Sequence, residues 1–378
     1  MESLPFLKPQ HLKAGMRVLV RLDLNVPLEN GKVKDTFRIE QSLATIAMLQ
    51  SKKAKTIIIS HLGDANASLG PIVDILKKKI KHISFAPYLI GDRAAHAVDS
   101  MNAGDILVLE NLRSQPGEED NAPSFARALS RFGDIFVQDG FAVAHRKHAS
   151  VVGLPTFLPS YLGPEFEKEL KGLAPALVPN EPSVLIVGGA KFGTKLPLLK
   201  HYLKTTPTIF VGAAIAHNIL KPRGVDLGMS LIDTSTPVPT TLIKSAQILV
   251  PIDAITDSGK VVDIRHIGMR DKIMDAGPAT VSLIAEKLKN AKTVIMNGPL
   301  GHYEDGFTQS TKAVLKLLAN IKGTTIIGGG DTVALARQLK LDKKIDFIST
   351  GGGAMLDYLT HGTLPGIEAV KKSSSQKK

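Results

Sequence analysis

Val184-Leu185-Ile186-Val187-Gly188-Gly189-Ala190-Lys191 is the stretch that decides the fold. Four apolar residues in unbroken succession cannot belong to a strand with one wet face, because such a strand alternates. Both faces must be covered, as in a parallel sheet flanked by helices. The glycine pair that follows at once marks a tight strand-to-helix turn. Thr56-Ile57-Ile58-Ile59 reads the same way. Working outward, short β-branched runs occur at Arg17–Leu22, Thr56–Ser60, Asp105–Glu110, Ile135–Val137, Ser183–Val187, Thr208–Val211, Gln247–Val250, Thr293–Met296, Thr324–Ile327 and Asp346–Ile348. Between them, apolar residues return at helical spacing, as at Ile39, Leu43 and Ile46 or Ala313, Leu317 and Ile321. This alternation predicts an α/β chain of two doubly wound, Rossmann-like parallel-sheet domains, and 378 residues are too many for one ordinary core.

The division is expected between residues 151 and 182, where Pro155, Pro159, Pro164, Pro175, Pro179 and Pro182 punctuate the chain and no good strand is expected. One helical segment there, Glu165–Leu173, is read as the connecting helix. The expected domains are therefore 1–160, a connecting helix and hinge at 161–180, a second domain at 181–365, and a closing segment at 366–378. That last segment carries Lys371, Lys372, Lys377 and Lys378 around a Ser-Ser-Ser-Gln spacer and is expected to be a disordered basic tail.

Composition narrows the function. There is no cysteine, so thiolate catalysis and Cys-based zinc sites are excluded, and a metal would be held by oxygen, with Mg²⁺ leading. The net charge of +12 suits a polyanionic partner. With 5% aromatics and no tryptophan, stacking platforms for single-stranded nucleic acid are scarce. Neither a secretory signal nor a membrane-length apolar run is read in the sequence, and a cytoplasmic location is expected.

Glycines follow the strands of the C-terminal half repeatedly: Gly188-Gly189, Gly298, Gly328-Gly329-Gly330 and Gly351-Gly352-Gly353. At the carboxyl edge of a parallel sheet such turns let helix N-terminal N–H groups approach phosphate. Taken singly, each cluster could simply make a tight turn. No G-x-G-x-x-G occurs, and Gly193-Thr194-Lys195 reverses the order a P-loop requires. The N-terminal half places Arg21, Asp23, Asn25, Arg38, His61, Arg113, His145, Arg146 and His148 at strand exits, a set suited to a small, highly negative substrate.

The segments RLDLNVP (21–27), SHLG (60–63), LENLR (109–113), AHRKHAS (144–150), GGAK (188–191), NGPLG (297–301), GGGDT (328–332), STGGGA (349–354) and LPG (364–366), in this order, resemble phosphoglycerate kinase from about residue 15 to 370. The resemblance implies a first domain for 3-phosphoglycerate, a second for Mg-nucleotide, closure about the connecting helix, and a monomer. It implies that Asp23 and Asn25 meet the glycerate while His61, Arg113 and Arg146 hold its phosphate, with Arg38 facing the transferring group. It assigns Lys191, Lys195, Gly212, Asn297, Glu304, Gly329, Gly330, Asp331 and Thr332 to ATP or ADP, Asp331 to Mg²⁺, and Arg38, Lys195, Gly352 and Gly353 to catalysis. The partners implied are ATP/ADP and 3-phosphoglycerate/1,3-bisphosphoglycerate, without membrane or nucleic acid. The chain departs from the family pattern at Asp64, where arginine is expected, at Gln138–Val143, at Phe192–Thr194, and at Ala213-Ala214 in the turn of the adenine pocket. These departures define the alternative reading, a catalytically impaired, nucleotide-binding paralogue with a regulatory or interaction role.

Overall fold

The computed structural model describes residues 4–375. The chain forms two compact units, one containing residues up to Leu170 together with those from Thr363 onward, the other Lys171–Gly362. The first is built on six parallel strands, β1 (Arg17–Arg21), β2 (Lys55–Ile59), β3 (Ile83–Ala86), β4 (Ile106–Leu109), β5 (Ile135–Gln138) and β6 (Ser160–Leu162), in the order β3-β4-β2-β1-β5-β6. Successive side chains on a strand point to opposite faces. Val18 and Val20 therefore join one core with Ile39, Ile46 and Leu49 of helix α1 (Phe37–Ser51), while Leu19 joins the other with Phe125, Leu129 and Phe136. Continuous apolar strands are the sequence consequence of having both faces covered.

The second unit repeats the plan with β7 (Ser183–Val187), β8 (Thr208–Val211), β9 (Ile248–Leu249), β10 (Thr293–Asn297), β11 (Thr324–Gly328) and β12 (Phe347–Ile348), ordered β9-β8-β7-β10-β11-β12. In both units the strand order reverses at one place, between β1 and β5 and between β7 and β10. The carboxyl ends at such a reversal leave a crevice, which is where open α/β sheets bind ligands.

Some elements differ from the sequence expectations. A strand, β6, does form inside 151–182. It is only three residues long and sits at the sheet edge, paired with Phe136–Gln138, too short for periodicity to announce it. Second, Asp253–Thr256 pairs antiparallel with Val261–Asp263 and Ile273–Ala276 in a separate small sheet. Third, the closing segment is a helix, Pro365–Ser375, rather than a disordered tail. Ile367 and Val370 are buried, and the Ser373 hydroxyl donates to the Leu158 carbonyl at 2.7 Å, so packing overrides the poor helix propensity of Ser373-Ser374-Ser375. Lys377 and Lys378 lie outside the described residues.

The connecting helix, α2, runs from Pro164 to Leu177, longer at both ends than the sequence reading. Its start is fixed by Asp139 at the exit of β5. The buried carboxylate accepts the Phe166 N–H at 3.0 Å and the Thr45 hydroxyl, and burial pushes its pKa up to about 6. A Cβ at Gly163 would stand 2.3 Å from that carboxylate, so glycine is required there. No helix among the described residues is long and apolar enough to cross a membrane.

Candidate active site

In the first unit the exits of β1, β2 and β4 gather cationic side chains. Arg21, the last residue of β1, is 1% exposed. Its guanidinium donates to the Ser150 hydroxyl at 3.1 Å and to the Leu22 carbonyl, and meets His61 Nδ1 at 2.9 Å. Ser150 is held in turn by the buried Glu118, whose carboxylate accepts both its N–H and its hydroxyl. His61 is held neutral, its pKa driven far down first by burial and then by Arg21, Arg113, Arg146 and Arg38. Those four charges therefore act on one point. A buried imidazole beside them would have to lose a proton, and it serves instead as a fixed partner for Arg21.

Arg38, in the first turn of α1, pairs with Asp23 at 3.2 Å and donates to the Asn25 carbonyl at 2.8 Å. The Asn25 amide oxygen accepts the Gly63 N–H at 2.9 Å, joining the β1 and β2 exits. Arg113 is anchored to Glu119 at 3.2 Å. Arg146 is half-buried and makes no side-chain hydrogen bond or ion pair among the described residues, with burial and then Arg113 lowering its pKa. A guanidinium at this edge with no side-chain hydrogen bond or ion pair is one that an anionic ligand would satisfy. His148 is likewise lowered, to about 4, by burial and Arg146.

The organiser of this edge is Asn111, which escapes a reading of charged residue types. Fully buried, it accepts N–H groups from Leu62 and Arg113, and its two amide hydrogens are shared among the carbonyls of Leu62, Asp64 and Ala67. It thereby fixes the loop after β2. Asp64 is exposed, and its carboxylate closes a turn in its own loop by accepting the Asn66 N–H at 2.9 Å.

In the second unit the glycine turns pack on one another. The Gly188 N–H donates to Asn297 O at 3.0 Å, and Gly298 N–H to Gly328 O at 3.4 Å. Gly298 and Gly329 both have φ of +94°, a region L side chains avoid. A Cβ on Gly188 would lie 1.9 Å from the Pro299 carbonyl oxygen, and one on Gly352 would lie 3.3 Å from Gly329. A side chain is thus excluded at Gly188 and disfavoured by the positive φ at Gly298 and Gly329, leaving backbone open to a ligand's close approach there.

Around these turns stand the polar groups. Lys195, in the first helical turns of α3 (Phe192–Tyr202), donates to the side-chain oxygen of Asn297, and burial lowers its pKa to about 8. Asn297 is 1% exposed and serves as the holder of Lys195. Lys191 is exposed at the N-cap of the same helix. Helix α5 (Gly330–Gln338) begins with Gly330, Asp331 and Thr332, and helix α6 (Gly352–His361) with Gly352 and Gly353. Asp331 and Glu304 have no ion-pair partner among the described residues, and the Asp331 pKa is raised by burial and then by the Glu304 charge. The Thr332 hydroxyl is buried without a hydrogen-bond partner.

Helix α4 (Ala213–Leu220) opens on Ala213 at φ +52°, after Gly212, whose N–H donates to Val187 O at 2.8 Å. An alanine here carries left-handed strain. Ala213→Gly should raise stability by about 0.5–1 kcal/mol, the strain relieved outweighing the extra unfolded-state entropy of glycine. Calorimetric melting checks it, with an expected rise of about 1–3 °C.

Comparisons with known proteins agree along the whole chain. The family model for phosphoglycerate kinase matches residues 10–362. Phosphoglycerate kinase of Leptospira biflexa is 37% identical over 97% of this chain and 98% of its own, and that of Chelativorans sp. is 40% identical over 95% and 97%. Among solved structures, phosphoglycerate kinase from Coxiella burnetii superposes with a TM-score of 0.80 at 31% identity, covering 98% of this chain and 100% of that one. The Pyrococcus horikoshii OT3 enzyme does so at 0.86 and 26% identity, covering 99% and 100%. With two doubly wound sheets, arginines at one switch point and stacked glycine turns at the other, the chain belongs to the phosphoglycerate kinase family.

Proposed function

We propose that the first unit binds 3-phosphoglycerate, that the second binds ATP or ADP, and that the chain moves a phosphoryl group reversibly between ATP and the substrate carboxylate. The observation that carries this reading is the gathering of Arg21, Arg38, Arg113 and Arg146 around buried, neutral His61 at the carboxyl edge of the first sheet. In the forward direction a carboxylate oxygen attacks the γ-phosphorus and forms the acyl phosphate bond. The bond from phosphorus to the β–γ bridging oxygen breaks, and ADP leaves with its electron pair. A carboxylate is already ionised at neutral pH, so no general base is needed. Catalysis is then positioning and charge stabilisation, to which Arg38, Lys195 and the N–H groups at Gly352 and Gly353 contribute. Asp23 and Asn25 orient the glycerate, Arg113 and Arg146 take its phosphate, and His61 fixes Arg21 behind them. Lys191, Gly212, Glu304, Gly329, Gly330 and Thr332 line the nucleotide, with Asn297 acting through Lys195.

The residues fit Mg²⁺. Asp331 and Glu304 are acidic neighbours without a cation, and Thr332 brings an unused oxygen. Among the described residues no group of three or more His, Cys, Asp or Glu could hold a metal alone, which suits an ion that takes most of its ligands from nucleotide phosphates and water. Asp331 would hold it, and when bound it supplies neutralisation of the phosphate oxygens. Asp331→Asn should weaken MgADP binding about tenfold or more in calorimetry and leave metal-free ADP within about twofold. MgADP affinity unchanged by the substitution would leave Asp331 as a first-turn residue of α5 that asparagine replaces at little cost, and not a metal ligand.

The reading is tested by Arg146→Ala. Its partner-free guanidinium should contribute on the order of tenfold to a hundredfold to 3-phosphoglycerate affinity and nothing to MgADP affinity. Calorimetric titration of each ligand reads both, and unchanged 3-phosphoglycerate binding would remove the substrate from this edge. We read the enzyme as a cytoplasmic monomer acting on small molecules, without membrane or nucleic acid.

A further inference from the structure

On the amino edge of the first unit's sheet, away from Arg21 and Arg113, lies a cavity of about 780 Å³, within the size range of small-molecule sites. Its walls are the turns before β3 and β4, and its floor is the second half of α1. Leu43 and Ala47, one helical turn apart, supply an apolar surface with Ile80 over the buried Ile46. Lys79, Lys81 and His82 line the rim. The cavity is built rather than a gap between mobile turns. Gln50 Nε2 donates to the Lys81 carbonyl at 2.8 Å and the Gly104 carbonyl at 3.3 Å, tying both walls to α1.

The charge balance is one-sided. Lys79 and Lys81 have no ion-pair partner among the described residues, and the one acid in the lining, Asp105, accepts the Asn102 N–H at 2.7 Å. The run Lys77-Lys78-Lys79-Ile80-Lys81-His82 is part of the +12 surplus that the substrate edge does not use. Arg38 stands twelve residues before Gln50 on the same helix, about 18 Å away at 1.5 Å per residue, so this cavity is separate from the substrate edge.

We propose that this cavity binds a small amphipathic anion, a carboxylate or phosphate carried on an apolar chain or ring. The head lies on Lys79, Lys81 and His82, and the body on Leu43, Ala47 and Ile80. This geometry stands independently of the kinase reading.

The test is calorimetric titration of the full chain with decanoate, using decanol and inorganic phosphate to separate the two halves of the ligand. Decanoate should saturate one site, and decanol and phosphate should each bind at least about tenfold more weakly. The double variant Lys79→Glu/Lys81→Glu, which reverses the rim, should weaken decanoate at least about tenfold, and so should Ala47→Trp, which fills the floor from an exposed helix position. Thermal unfolding verifies that each variant is folded, and the charge reversal at exposed lysines stands as the test if the tryptophan is not tolerated. Decanoate affinity unchanged by the charge reversal, displacement of decanoate by 3-phosphoglycerate or MgADP, or no binding by millimolar decanoate would each overturn the proposal. So would binding to anionic phosphatidylglycerol vesicles without binding of free decanoate, since the ligand would then be a bilayer surface.

Discussion

Arg38→Ala should lower kcat on the order of 10²-fold or more while leaving MgADP affinity unchanged. The guanidinium belongs to the first unit, where it pairs with Asp23 at 3.2 Å and holds the Asn25 carbonyl at 2.8 Å. Losing it removes a cation from the transferring phosphoryl, a change typically worth about 3 kcal/mol in the transition state. It also leaves the largely buried Asp23 carboxylate facing an anionic substrate, so KM for 3-phosphoglycerate should rise as well. Steady-state kinetics with each substrate varied in turn reads both effects. A variant that keeps more than half its turnover would show that Arg38 does not serve the reaction.

The second large effect is structural. Gly188→Ala should cost about 3 kcal/mol or more, because its Cβ would stand 1.9 Å from the Pro299 carbonyl oxygen and 3.1 Å from that of Gly298. Both neighbours are backbone atoms of the turn after β10, and neither can swing aside as a side chain would. The stack of Gly188 on Gly298 should open, and the nucleotide edge with it. In calorimetry the transition of the second unit should fall by roughly 6–12 °C, and MgADP binding should be lost while 3-phosphoglycerate binding persists. Nucleotide affinity equal to the parent's would mean that the turns do not shape the nucleotide site.

Legibility in the sequence followed burial. Strands such as Ser183–Val187 and Thr293–Asn297 are covered on both faces, so hydrophobic continuity reported them. Ile83–Ala86 has an exposed Ser84 within four residues, and Val261–Asp263 has no buried residue, so neither rises above the pattern of a loop. The closing helix was hidden for a different reason, since Lys371-Lys372-Ser373-Ser374-Ser375 reads as solvated chain until Val370 finds its place in the first unit.

At the candidate site, residue types were legible and pairings were not. Arginines after β1 and β4 and glycines after β7, β10 and β11 stand out because strand exits can be located from the sequence. That Arg21 is locked to Ser150 across 129 residues, or that Asn111 gathers the loop at 62–67, depends on tertiary placement that no spacing encodes. The departures from the family pattern separate in the same way. Asp64 turns its carboxylate into its own loop, whereas Ala213 stands at φ +52°, in the left-handed region. Arg38, Lys195, Glu304 and Asp331 all stand at strand or helix ends beside the two switch points, and nothing in their geometry favours an impaired paralogue.

The most direct test of the central claim is turnover itself, followed as ADP formation from MgATP with and without 3-phosphoglycerate. ADP and 1,3-bisphosphoglycerate should appear in equal amounts, on the scale of tens of turnovers per second or more, and ADP formation should nearly vanish when 3-phosphoglycerate is omitted. Binding of both ligands without turnover, or ADP release that does not depend on 3-phosphoglycerate, would contradict it.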